Sequence, residues 1–342
     1  MGVSPVTLRD VAKRAEVHPS TASRALNERT RDKVSAAAVQ RVLEAARQLG
    51  YRPNSLARGL KLQQTFTIGM LLPDLTNPLF PPMVRGIEDI LVEAGYTLVL
   101  ANTDNSEQKE AAIIEAMERR RVDGLIVATA RRDYPLIDRL VEASMPMVLI
   151  NRTLDDPTVS SVAGNDHAGI GLALRHLAAL GHRRIAHVAG TQTVSTGLDR
   201  YHAFLAWMMS LDLELDHGLI VFADQFRERE GAAAFAELLR RRDDFTAVVA
   251  ANDLVALGCY DVCRERGIAI PGHLSVVGYN DMPFCDQFAP PLTSVRIPHY
   301  RIGAKAAELL LDAVMERDPT AVAVRLIPTL SVRASTGPPR SG

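Results

Sequence analysis

Val17–Asn27, VHPSTASRALN, read with the preceding Thr7–Glu16 segment TLRDVAKRAE, decides how the rest of the chain is organised. Thr7, three residues ahead of Asp10, is a helix N-cap signal, and Leu8, Val11 and Ala12 then share one apolar face. Ala15, Glu16 and Val17 make a short turn. His18 and Pro19 open a second helix, with Pro19 at the first helical position, where a missing N–H costs nothing. Two short helices across such a turn predict a helix-turn-helix, whose second helix enters the DNA major groove by its N-terminal residues. Here these are Pro19, Ser20, Thr21, Ser23 and Arg24: small hydroxyls that can reach phosphates, and one guanidinium able to fork onto a guanine edge. An ordinary pair of surface helices would carry the same pattern.

Outward from this stretch, Val39, Val42, Leu43, Ala46 and Leu49 recur at helical spacing and predict a third helix over Ala36–Leu49, stopped by Gly50. YRPNSLARGLKLQQ follows; Ser55–Lys61 is barely two helical turns, marginal alone in water, and reads as a hinge that orders only against a neighbour. Charge separates along the chain. Residues 1–61 hold 12 Lys and Arg against 5 Asp and Glu, leaving 27 against 35 of the chain's 39 and 40 for the remainder. A basic head on an acidic body suits a protein whose head alone meets a polyanion, and a solvated charged surface would give the same count.

With 342 residues the chain is too long for one small core, and 47% hydrophobic with 23% charged residues is ordinary globular composition. No run approaches the roughly 18 apolar residues of a membrane span. The opening MGVSPVTLRD has no apolar secretory region, so a cytoplasmic location is expected. Cys259, Cys263 and Cys285 lack metal-ligand spacing and read as reduced buried thiols; no metal site is expected.

From Phe66 short apolar runs alternate with amphipathic segments. Strands are expected at Ile68–Leu72, Leu98–Ala101, Leu125–Ala128 and Val148–Ile150, then at Ile185–Ala189, Leu219–Phe222, Val248–Ala250 and Val276–Gly278. Helices fall between them, and two such sets predict an α/β fold with two doubly wound lobes of parallel strands. Ligands in that architecture bind outside the carboxyl ends of the strands. Immediately past those ends stand Asp74 and Asn77, Asn102 and Asp104, Asn151 and Arg152, Asn252 and Asp253, and Asn280 and Asp281. Such a ring of short amides and carboxylates suits a polyhydroxylated or polar small molecule, with Phe80 and Phe226 as apolar faces. The competing reading is that these residues merely cap the following helices.

Enzymatic signatures are missing. There is no GxxxxGK[ST] loop, G-x-S-x-G elbow or H-E-x-x-H, and the G-x-G at Gly169 and Gly171 is followed by Leu174 where a dinucleotide fingerprint needs glycine. No catalytic residue and no cofactor are assigned. A transported-solute carrier would share the two lobes, but it needs an export signal and has no use for a basic head.

The phrases TLRDVAKRAEV, STASRALN, YRPNSLARGLK, RVDGLIV, LAALGHRRIAHVAG, VVAANDLVALG and LSVVGYND, in this order, make the chain similar to the lactose-repressor/purine-repressor family of bacterial transcriptional regulators. The resemblance spans nearly the whole chain. It implies a helix-turn-helix head over residues 1–53, a hinge helix and linker over 54–65, a first core lobe from 66–163 plus 294–327, and a second from 164–293 plus 328–342. It implies a homodimer on a pseudo-palindromic operator, most often a repressor, controlled by a small effector (a sugar, sugar acid or nucleobase) between the lobes. Pro19, Ser20 and Arg24 would then face base edges, and Thr21, Ser23 and Asn27 would hold phosphates. Leu60 would wedge into the minor groove beside Lys61. Leu79, Phe80, Asn151, Arg200, Phe226, Asn252 and Asn280 fall on effector-contact positions; Asp74 and Arg152 join them from the strand-end pattern.

Some positions depart from the family. His18 replaces a usual Ser cap, which predicts a softer second helix, and Ala22 replaces a larger core residue. The loop Glu28–Lys33 is about two residues longer than usual, so Arg29, Arg31 and Lys33 become candidate phosphate contacts. Asn280 replaces a common Asp and can donate as well as accept. The tail after Val332 is short and lacks heptads, which predicts a dimer rather than a tetramer.

Overall fold

In the head, small side chains set the architecture. The computed structural model describes residues 6–26, 28–51, 64–155, 158–315 and 320–340, and the chain divides into two units, Met1–Thr65 and Phe66–Gly342. The first unit contains α1 (Leu8–Arg14), α2 (Pro19–Leu26), a 3₁₀ turn (Glu28–Lys33) and α3 (Ala36–Gln48). Its core is Val11, Ala12, Ala15, Ala22, Ala25, Val39, Val42, Ala45 and Ala46, so the three helices meet on alanines. Thr7 and Asp10 close a reciprocal capping box: the Asp10 carboxylate accepts from the Thr7 N–H at 2.8 Å, and Thr7 Oγ1 accepts from the Asp10 N–H at 3.4 Å.

Two positions of the head that depart from the family carry local hydrogen bonds. His18 does not leave α2 uncapped: its Nδ1 accepts from the Ser20 N–H at 3.3 Å and lies 2.8 Å from Ser20 Oγ. Arg31 is anchored through one bond, its Nε donating to the Ala25 carbonyl at 3.1 Å. The neighbouring Thr30 Oγ1 donates to the Arg24 carbonyl at 3.2 Å, so the longer loop satisfies carbonyls at the end of α2.

The second unit runs β1 (Thr67–Leu72), α4 (Phe80–Glu93), β2 (Thr97–Asn102), α5 (Glu107–Arg119), β3 (Gly124–Val127), α6 (Pro135–Glu142), β4 (Met147–Ile150) and β5 (Ser161–Gly164). It continues through α7 (Asp166–Ala179), β6 (Ile185–Ala189), α8 (Ser195–Ser210), β7 (Ile220–Phe222), α9 (Glu228–Arg241), β8 (Ala247–Ala250), α10 (Asp253–Arg266) and β9 (Ser275–Asn280). It ends with β10 (Thr293–Arg296), α11 (His299–Met315), β11 (Ala323–Leu326) and β12 (Thr329–Ser331). One sheet has the order β11-β5-β4-β3-β1-β2 with every pair parallel; the other is β12-β10-β9-β8-β6-β7, with only β12 antiparallel. Strands such as GLIV, MVLI and AVVA are buried at every position, as expected where helices cover both faces of a sheet.

The chain crosses between lobes three times: after β5, after β10 and between β11 and β12. The second crossing differs from the boundary at 294 expected from sequence. Thr293–Arg296 pairs with β9 inside the second sheet, so the return to the first lobe follows Arg296. Helix α11 then lies against α4 at near backbone contact. A Cβ at Gly86 would stand 2.2 Å from the Tyr300 carbonyl oxygen, and one at Gly303 would stand 2.0 Å from that of Met83.

Candidate functional site

At the N-terminal end of α2, Ser20, Ser23 and Arg24 are solvent-exposed, Pro19 and Thr21 are partly covered, and Ala22 and Ala25 point into the core. The amphipathic period thus turns the hydroxyls and the one guanidinium outward. No side-chain bond to another described residue ties Arg24 down. Asn27, Leu60 and Lys61 lie outside the described residues.

In the second unit six of the ten strand-end residues named from sequence line one cleft. A cleft of about 870 Å³ opens between the two sheets, and Asp74, Leu79, Phe80, Asn151, Arg152, Arg200, Phe226, Asn252 and Asn280 all line it. Asp74 follows β1, Asn151 and Arg152 follow β4, Phe226 follows β7, Asn252 follows β8, and Asn280 ends β9. Asn102, Asp104, Asp253 and Asp281 do not line it. Asp253 faces the second lobe's interior and accepts from the Met282 N–H at 2.8 Å and from Ser294 Oγ. Asp281 holds Arg296 and Arg333, each at 2.6 Å.

The residues of the wall differ in how they are held. Asn252 is both lining and cap: its Oδ1 accepts from the Val255 N–H at 2.8 Å at the start of α10. Asn280 is 5% exposed, and its Oδ1 has no hydrogen-bond partner; Asn151, 8% exposed, makes no side-chain hydrogen bond among the described residues. Both have left-handed backbone, at φ 105° and 66°, where their strands end and the chain turns. Phe226 packs closely against the backbone at Gly190; a Cβ there would meet the ring at 2.4 Å.

Arg200 is the most constrained group of the wall. Gly197 lets α8 begin directly on the β6 loop, a Cβ there standing 1.8 Å from the Thr191 carbonyl oxygen, and Arg200 follows one turn later. Its Nε donates to Asp166 at 2.9 Å, its Nη1 to the Ala251 carbonyl at 2.7 Å, and its plane lies 3.8 Å from the Tyr279 ring centre. Burial works against its charge, yet the Asp166 carboxylate keeps its pKa above the ordinary guanidinium value. Asp74 reaches across the cleft to Arg227 at 3.0 Å. Partial burial would raise its pKa, but hydrogen bonds from Thr76 and the Arg227 guanidinium hold it below the usual carboxylate range.

Sequence reasoning missed Arg131, Thr191, Thr193, Thr196 and Arg227, which also line the cleft. They too follow strand ends or open α8, but none belongs to an Asn/Asp pair. Among the described residues no cluster of His, Cys, Asp and Glu could hold a metal ion, and no helix is long and apolar enough to cross a membrane.

Comparison with known proteins gives this arrangement its class. Residues 7–54 match the model of bacterial regulatory proteins, lacI family, and residues 174–336 match a periplasmic binding protein-like domain. The chain is 35% identical to the ribose operon repressor of Halalkalibacterium halodurans over 96% of its own length and 97% of that protein. It is 32% identical to a transcriptional regulator CelR solved in complex with cellobiose, covering 96% of this chain and 99% of that one with a TM-score of 0.75. It also shares the fold of a lac repressor dimer solved on operator, with a TM-score of 0.84 at 24% identity over 98% of this chain and 100% of that one. The chain belongs to the lacI family of bacterial regulatory proteins and is a DNA-binding transcriptional regulator.

Proposed function

We infer that this regulator is a cytoplasmic repressor that binds a pseudo-palindromic operator as a homodimer and changes its operator affinity when a small polar molecule, a sugar or sugar derivative, occupies the cleft. The observation that carries the effector reading is the convergence of nine residues from both lobes on one cavity, two of them buried amides with unpartnered atoms. A ligand touching both lobes changes the angle between them, and it acts on DNA only through its different affinity for the two angles. A coupling of about 1–3 kcal/mol is typical. In the head, Pro19, Ser20 and Arg24 read bases while Thr21, Ser23 and Asn27 hold phosphates; Leu60 and Lys61 act in the minor groove between the half-sites. The relatives' names support repression, and the match across the whole chain supports carrying it over.

In vitro selection of bound duplexes by the full-length chain, followed by light scattering of the complex, tests this reading. Two inverted half-sites bound by two chains are expected. A single asymmetric half-site bound by one chain contradicts it.

A further inference from the structure

Four arginines line the cleft, and three of them have a carboxylate partner. Arg227 is paired with Asp74 at 3.0 Å, Arg200 with Asp166 at 2.9 Å, and Arg131 with Glu107 at 2.9 Å. Arg152 has none among the described residues: its one hydrogen bond runs from Nη1 to the Thr129 carbonyl at 3.4 Å. It is only partly exposed, at the end of β4 beside the unpartnered Asn151. The nearby buried carboxylate, Glu110, gives one oxygen to Tyr134; its other oxygen, 3.9 Å from Arg131, has no hydrogen-bond partner among the described residues and offsets the Arg152 charge only from a distance. The other two acids of the wall, Asp224 and Glu228, are solvent-exposed on the segment after β7 and form no ion pair among the described residues. A guanidinium withdrawn from water without a counter-charge is costly unless something else supplies one. Desolvation, with repulsion from Arg131, outweighs the opposing pull of Glu110 and Tyr134 and pushes the Arg152 pKa down to about 10.

Across the cleft, the unpartnered Oδ1 of Asn280 is a buried acceptor that asks for a donor. Amides at 151 and 280 present no negative charge to the cleft from these two strand ends, the Asp281 carboxylate being spent on Arg296 and Arg333 outside it. We propose that the effector carries both kinds of group: an anion, carboxylate or phosphate, seated on Arg152, and hydroxyls that donate to Asn280 and meet Asn151. The effector is therefore a sugar acid or a sugar phosphate rather than a neutral sugar. This rests on the reading of the cleft as the effector site.

Calorimetric titration of the full-length chain with matched triplets tests it, each triplet being an aldose, its aldonate and its terminal phosphate ester, with inorganic phosphate as a control. In one triplet an anionic member is expected to bind about ten- to a hundredfold more tightly than its neutral parent, the range of a charged hydrogen bond. Aldonate against phosphate identifies the source of the charge. Arg152→Met should erase that preference, so that the anionic member binds no more tightly than its neutral parent. Should Arg152→Met not fold, Arg152→Lys keeps the charge and should keep the sign of the preference, and the wild-type comparison stands without either variant. A neutral parent binding as tightly as its anions overturns the proposal while leaving the cleft an effector site. If no member of any triplet binds, the effector reading fails with it.

Discussion

Arg200 shows how a side chain of the cleft wall can also hold the fold. It is 3% exposed and ties α7, α8 and the end of β8 through Asp166, Tyr279 and the Ala251 carbonyl. Removing it leaves the Asp166 carboxylate buried without its partner, a change that costs about 3–5 kcal/mol. Arg200→Ala is therefore expected to lower the melting temperature of the core strongly, whether or not ligand is present. A variant with wild-type melting and only a lost ligand response would assign Arg200 to the ligand alone. Phe226 is held differently: Gly190→Ala puts a methyl 2.4 Å from its ring and displaces it into the cleft. That variant is expected to fold and to bind ligand at least about tenfold more weakly, read by titration. The strand-end rule pointed to Asn151, Asn252 and Asn280 because their positions depend on topology alone. It gave no way to see that Asn252 is spent on a helix cap while Asn280 keeps an orphan acceptor, since the same residue type at the same place serves both ends.

Among the elements, the termini of α1 and α2 were legible because their signals are local. Thr7 and Asp10 form the expected box, so Thr7→Ala should destabilise the head by about 0.5–2 kcal/mol, measured as a lower midpoint of its unfolding by denaturant. The His18 cap escaped notice because an imidazole nitrogen is an uncommon acceptor there. The elements left unread, β5, β10, β11, β12 and α11, belong to the returning crossings. SVAG and TLS are too short to show a period, AVRL alternates in burial at an edge, and nothing in HYRIGAKAAELLLDAVM marks the lobe it joins. That membership is set by long-range packing: α11 lies on α4 because Gly86 and Gly303 allow the two backbones to touch. Gly303→Val is expected to part the helices and to cost at least about 1–3 kcal/mol in thermal unfolding; an unchanged melting temperature would contradict the close packing.

At the scale of the molecule, buried histidines link stability to pH. His187, stacked on Phe204 at 4.6 Å with its Nδ1 on the Val249 carbonyl, is pushed down to about 4 by burial, and so is His299. In the unfolded chain both titrate near pH 6.5. Their contribution is thus complete above about pH 6.5 and is lost as pH falls through that value toward 4, because the unfolded state takes up the protons first. Asp253, raised to about 7 by burial, acts oppositely: its contribution is complete below the unfolded carboxylate value near 4 and fades as pH rises to about 7. Across pH 7 to 5 the double variant His187→Gln/His299→Gln should lose less melting temperature than wild type. An equal or steeper fall would place the acid sensitivity elsewhere.

The account as a whole depends on a cationic head made sequence-selective by a ligand-sensing core. Affinity of the full-length chain for its selected operator, measured across a salt series with and without a ligand shown by titration to bind the chain, tests this most directly. Binding should weaken steeply and linearly in log–log form as salt rises, as phosphate contacts release counterions. Saturating ligand should shift the whole line by a factor of about 5–150. A flat salt dependence, or one line for both ligand states, would contradict it.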